Sequence, residues 1–120
     1  MLRIELPFPD RRLSPNARVH YQVRARATRE AKEQVIVAVL EQERQKLLDR
    51  ATVTVTFVVP DRRRRDKGNL IASAKAYLDG LVGLVIVDDN WAAIEEVYPP
   101  VVFEKGIKKT IIQVQGVADD

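Results

Sequence analysis

The chain has 120 residues, 46% hydrophobic and 31% charged, with 20 Lys and Arg against 17 Asp and Glu for a formal net charge of +3. That is one domain of ordinary size, residues 1–120, with enough apolar material for a core and too much for a disordered chain. The lack of cysteine excludes disulfides, thiolate zinc sites, iron–sulfur clusters and cysteine nucleophiles, and the single histidine, His20, excludes a multi-histidine zinc site within one chain.

In chain order, "LRIELPF" alternates apolar and polar residues and predicts a strand over 2–8, stopped by Pro7 and Pro9. Residues 9–27 show no clean period and are rich in turn formers. They read as a long basic loop with a short extended piece at Arg18–Val23. Residues 28–50 carry the clearest helical stripe, with Thr28 as its N-cap. "ATVTVTFVV" (51–59) reads as a strand with Val53, Val55, Phe57 and Val59 on one face, ended by Pro60. A second helix is expected over 69–82, capped by Asn69 or Ser73 and ended at Gly80 or Gly83. A short apolar run, 84–87, leads into Asp88 and Asp89. A strand broken by Pro99 and Pro100 covers 93–103, and a last strand covers 108–117. A Lys-Gly turn at 105–106 is expected to join these two as a hairpin. This order predicts an α/β (α+β) domain: a single mixed sheet of about four or five strands with two helices packed on it.

Charge is concentrated in two places, the N-terminal third and the run Arg62, Arg63, Arg64 and Arg65. Arginine offers a planar fork that matches phosphate, so local concentration on a modest global excess points to a nucleic-acid partner. Carboxylates flank the second helix, Asp66 before it and Asp88 and Asp89 after it. Without His or Cys, carboxylates that converge favour Mg²⁺, or Mn²⁺, through oxygen ligands. From spacing alone such pairs are more often turns or helix caps. Asp79 lies four residues after Lys75 and reads as its helical ion-pair partner. His20 reads as a structural residue and Trp91 as a packing residue or a lid over the acidic pair. The N-terminus lacks a long apolar segment and no apolar run reaches the ~18–20 residues that span a bilayer. The chain therefore reads as cytoplasmic, with no membrane partner.

The segments "PDRRRRDKGNL", "AKAYLDGL" and "GLVIVDDNW", in that order, resemble the RusA family of Holliday junction resolvases. The opening "LPFPDRRLSPNARVHY" is similar to that family's N-terminal stretch, so the resemblance spans residues 5–91 or so. It implies a small homodimer, phage or prophage encoded and working in a bacterial cytoplasm. Such a protein cuts four-way DNA junctions by paired symmetric nicks in recombination and repair, using Mg²⁺ held by aspartates. Carried over, Asp66 and Asp89 match catalytic aspartates, Asp88 helps hold the metal, and Lys75 matches the family's lysine after an insertion of three residues between Asn69 and Lys75. Arg62 to Arg65, Lys67, Asn69, Arg12, Asn16 and Arg18 are the expected DNA contacts. One departure stands out: the family's second aspartate falls on Gly68. The alternative is therefore a junction-binding protein of the same fold that has lost the chemistry.

Overall fold

The computed structural model describes residues 1–42 and 46–117. The elements are β1 (Leu2–Leu6), a short 3-10 helix (Arg11–Leu13), α1 (Tyr21–Leu40), β2 (Ala51–Val59), α2 (Lys67–Ser73), α3 (Lys75–Leu81), β3 (Ile94–Val97), β4 (Val102–Phe103) and β5 (Lys109–Gly116). The strands form one mixed sheet of five in the order β1-β5-β2-β3, with β4 continuing the edge of β2 beyond β3. β5 runs antiparallel to both β1 and β2, whereas β3 and β4 run parallel to β2. The predicted class and sheet are therefore present. No helix among the described residues is long and apolar enough to cross a membrane.

β2 is the centre of the sheet, and its composition explains why. It alternates Val and Thr over Ala51–Thr56 and then becomes continuously apolar. Val53, Val55 and Phe57 are fully buried and face Val35 on α1 and Leu81 on α3 within one core. Leu2, Ile4 and Leu6 of β1 and Thr110, Ile112 and Val114 of β5 bury the same face by strict alternation. Fully burying a side chain such as Phe57 stabilises the fold by about 1.5–3 kcal/mol. Tyr77 adds a polar tie, its hydroxyl donating to the Pro7 carbonyl at 2.8 Å. Burial pushes that phenol up to about 12.

Several expectations are corrected. β1 stops at Leu6, where Pro7 cannot donate to the ladder. The extended piece expected over Arg18–Val23 is cut short: His20 is extended, but α1 begins at Tyr21, seven residues before Thr28. His20 is its N-cap, with Nδ1 accepting from the Gln22 N–H at 3.2 Å. Thr28 sits inside the helix and donates its hydroxyl to the Arg24 carbonyl at 3.0 Å. The early start was hidden because basic and small residues fill the first turns, and only Ala27, Ala31 and Val35 of α1 are fully buried. α1 ends at Leu40 rather than at 50; residues 43–45 of the expected helix lie outside the described residues. The second helix is two, meeting at Ala74, and its cap is Asp66, whose Oδ1 accepts from the Asn69 N–H at 3.2 Å.

The last two strands do not form a hairpin. The Lys105–Gly106 turn exists, with Gly106 at φ 76° and the Ile107 N–H bonded to the Glu104 carbonyl at 3.0 Å. However, β4 pairs with β2, and β5 crosses to the other edge of β2. The run 84–87 is a turn whose Val85 and Ile86 are buried beneath α3. Ile86 makes isolated bridges to Leu48 and Val82.

α1 and α3 approach closely at Gly80. A Cβ there would lie 3.1 Å from the Val35 Cβ and 3.2 Å from the Lys32 Cα. Ala is the better helix former by up to ~1 kcal/mol, so sequence propensity favours Gly80→Ala. The contact reverses that sign. Gly80→Ala is expected to destabilise the protein by about 1–3 kcal/mol. Urea denaturation measures it, and a raised midpoint would contradict the packing.

Candidate nucleic-acid interface

β2 ends at Val59, and after Pro60 the chain leaves the sheet as the arginine run before Asp66 caps α2. The four arginines differ in their surroundings. Arg62 lies over the Phe103 ring, 4.4 Å from its centroid. Arg65 folds back on the turn: Nη1 is 3.0 Å from Asp61 Oδ1 and donates to the Arg63 carbonyl at 2.9 Å. Asp61 also accepts the Arg63 N–H at 2.9 Å, and these contacts hold its carboxyl below the usual range. Only 12% of the Arg65 side chain is exposed, and its Nη2 is buried with no hydrogen-bond partner. Arg63 and Arg64 are exposed and make no side-chain ion pair among the described residues.

Arg63 and Arg65 form one wall of a groove of about 610 Å³. Arg11 and Ser14 of the N-terminal loop, Asn69 and Ser73 of α2, and Phe8 and Lys108 complete it. Lys108 Nζ stands 5.1 Å from the Phe8 ring centroid. The two basic zones, about fifty residues apart in sequence, thus meet in space. The groove holds four cationic side chains against one carboxylate, Asp10. Asp10 is already bound to Arg12 at 2.7 Å, which keeps its carboxyl below the usual range.

Other expected contacts are placed elsewhere. Arg12 is tied to Asp10 and to Glu30, the latter at 2.6 Å. Lys67 Nζ donates to the Tyr98 carbonyl at 2.8 Å. Asn16 borders a separate shallow groove beside the 3-10 helix, and Arg18 is exposed just before α1. Lys108 and Phe8 were missed by sequence reasoning. The Lys108–Lys109 pair was a visible charge signal, but nothing local says that it returns beside Arg63.

The acidic residues do not converge into one cluster. Asp66 caps α2. Asp88 accepts from the Asn90 amide and the Asp89 N–H, which lowers its carboxyl, and sits in the exposed turn after the 84–87 run. Asp89 meets Lys75, the first residue of α3, at 3.2 Å, while Asp79 holds the same ammonium at 2.9 Å. The expected Lys75–Asp79 pair is therefore formed, and it is the main cause of the raised Lys75 pKa. Among the described residues no three His, Cys, Asp or Glu side chains lie together in a way that could hold a metal ion. The side chains as placed therefore do not fit a three-carboxylate Mg²⁺ centre. At Gly68, where the resemblance expects a further aspartate, a Cβ would sit 3.2 Å from Asp66 Oδ1. Trp91, expected to pack or cover the acidic pair, is 92% exposed.

No protein-family model matches the chain. It is 32% identical over 94 residues to an uncharacterized protein of Xylella fastidiosa (strain Temecula1 / ATCC 700964). The match covers 75% of this chain and 61% of that relative's length.

Arg65 and Arg64 are expected to behave differently on substitution. Arg65→Ala removes charge-assisted bonds that shape the turn and lowers stability by roughly 1 kcal/mol. Arg64→Ala leaves the unfolding midpoint unchanged. Equal effects in denaturant titrations would contradict the distinct environments described above.

Proposed function

We propose that this protein is a RusA-like DNA-junction-binding protein that grips phosphates of branched DNA in the groove between the arginine run and the N-terminal loop. The observation that carries this is the meeting of Arg11, Arg63, Arg65 and Lys108 around one open groove. Cationic side chains from three separate segments, with Asn69 and Ser73 between them, suit a backbone that winds past rather than a single small anion. The buried, unpaired Arg65 Nη2 offers a donor that a phosphate oxygen reaching the turn would satisfy. On this reading the protein acts as a homodimer in a bacterial cytoplasm, its two-fold symmetry matching a four-way junction.

A second reading is the one the resemblance implies in full: a Mg²⁺- or Mn²⁺-dependent junction endonuclease. The contact of Lys75 with Asp89 favours it, because these are two of the residues that the resemblance assigns to catalysis. The scattered carboxylates and Gly68 weigh on the other side.

One experiment tests both. The purified protein is titrated onto a synthetic four-way junction and a linear duplex, in EDTA, Mg²⁺ or Mn²⁺. The junction is expected to bind more tightly than the duplex. With about four phosphate contacts, affinity falls roughly a hundredfold between 50 and 200 mM salt. The double variant Arg63→Ala, Lys108→Ala flattens the salt slope by about 2. Weak, salt-insensitive binding would overturn the proposal. Metal-dependent paired cuts that vanish in Asp89→Asn would establish the nuclease. Binding without cuts, with cuts gained in Gly68→Asp, would assign the loss of chemistry to the missing carboxylate.

A further inference from the structure

The β1 edge of the sheet, next to the cationic groove, has another character. β1 is the terminal strand and pairs only with β5, so half of its backbone N–H and C=O groups face outward. Leu2–Leu6 contains no proline, and its exposed charges, Arg3 and Glu5, are paired with each other, Glu5 also with Lys109. A groove of about 480 Å³ runs between β1 and α1. Glu5, Leu6 and Pro7 border it on the β1 side, where Glu5 is paired with Lys109, and on the helix side Val37 and Ala38 supply apolar surface among Glu30, Glu33 and Glu41. These positions follow helical spacing and form one stripe. Glu30 is paired with Arg12. Glu33 and Glu41 are exposed and make no ion pair with the described residues. Val37 is 58% exposed beside them. In a chain of net charge +3 this is a carboxylate-lined groove along α1 that meets the open strand edge at Glu5 and Leu6.

We propose that this groove docks an extended, Lys/Arg-rich segment of a partner protein, added to β1 as a further strand. An added strand alternates its side chains. The side chains turned toward α1 are the cations, which would meet Glu33 and Glu41 on either side of Val37, while the alternate apolar residues face away. Nucleic acid is repelled by the same carboxylates. Two-fold pairing of this edge with a second copy would bring two sets of glutamates together, so a basic partner fits better than self-association. The proposal is independent of what binds the cationic groove.

The probe is a fluorescein-labelled ten-residue peptide of alternating Val and Arg, titrated into the full chain and followed by anisotropy. Binding is expected to weaken at least tenfold in the double variant Glu33→Lys, Glu41→Lys. Both sites are exposed, and circular dichroism melts confirm folding. A peptide N-methylated at alternate residues, on the amides facing β1, is expected to lose at least tenfold as well. No binding, or binding indifferent to the charge reversal, would overturn the proposal. So would equal affinity for the N-methylated peptide, which would mean simple charge adsorption. Sedimentation supplies a further arm: a dimer that Glu33→Lys alone dissociates would give the edge to a second copy and overturn the basic partner.

Discussion

β2 is held on both of its edges, by β5 along its length and by β3 and then β4 on the other side. Its inward residues are fully buried against α1 and α3. This anchoring fixes where the chain leaves the sheet at Pro60, and hence where the arginine run begins. Four adjacent like charges on a free loop would repel one another and spread. Here the turn is pinned by Asp61, which takes the Arg63 N–H and the Arg65 guanidinium, and Arg62 is laid on Phe103. The result is a run in which Arg65 braces the turn, Arg62 lies on Phe103, and Arg63 and Arg64 stay open to solvent.

The same constraint organises charge across the molecule. The N-terminal loop is drawn to the groove because Pro7 is held by Tyr77 and Thr110, both of which donate to its carbonyl. That places Phe8 and Arg11 beside Lys108 and the arginine turn. The α1 stripe of glutamates adjoins this region, joined to it by Arg12, which bonds both Glu30 of the stripe and Asp10 of the cationic groove. One end of the sheet thus presents a field suited to polyanions, and the edge of β1 presents the reverse.

Much of this was legible in the sequence, and the failures have physical causes. The strand with the clearest alternation, β2, has Val53, Val55 and Phe57 on the buried face as expected, because side chains of a strand alternate between its two faces. α1 was read seven residues late. Its start depends on a histidine cap and on turns whose outer face is basic, and neither leaves an apolar period. The helix break at Ala74 was hidden inside a stretch that is helical on both sides. It falls within residues 69–75, where the inferred insertion lies, and it leaves Lys75 at the head of α3. Local pattern also suggested a hairpin from a turn that exists. Pairing was decided instead by the long-range preference of β5 for the middle of the sheet. The acidic residues were legible one by one, and Asp79 was correctly paired with Lys75. Whether Asp66 would meet Asp88 or Asp89 depended on the folded path between α3 and β3, which no local spacing encodes.

The central claim is that the groove lined by Arg11, Arg63, Arg65, Asn69, Ser73 and Lys108 is where branched DNA is held. The most direct measurement is to titrate a four-way junction into isotopically labelled protein and map the amide and arginine side-chain resonances that shift. The account predicts shifts concentrated at those residues, including Arg65 Nη2 protons gaining a partner, with the β1–α1 groove silent. Shifts confined to other surfaces, or none at concentrations that saturate binding, would contradict it.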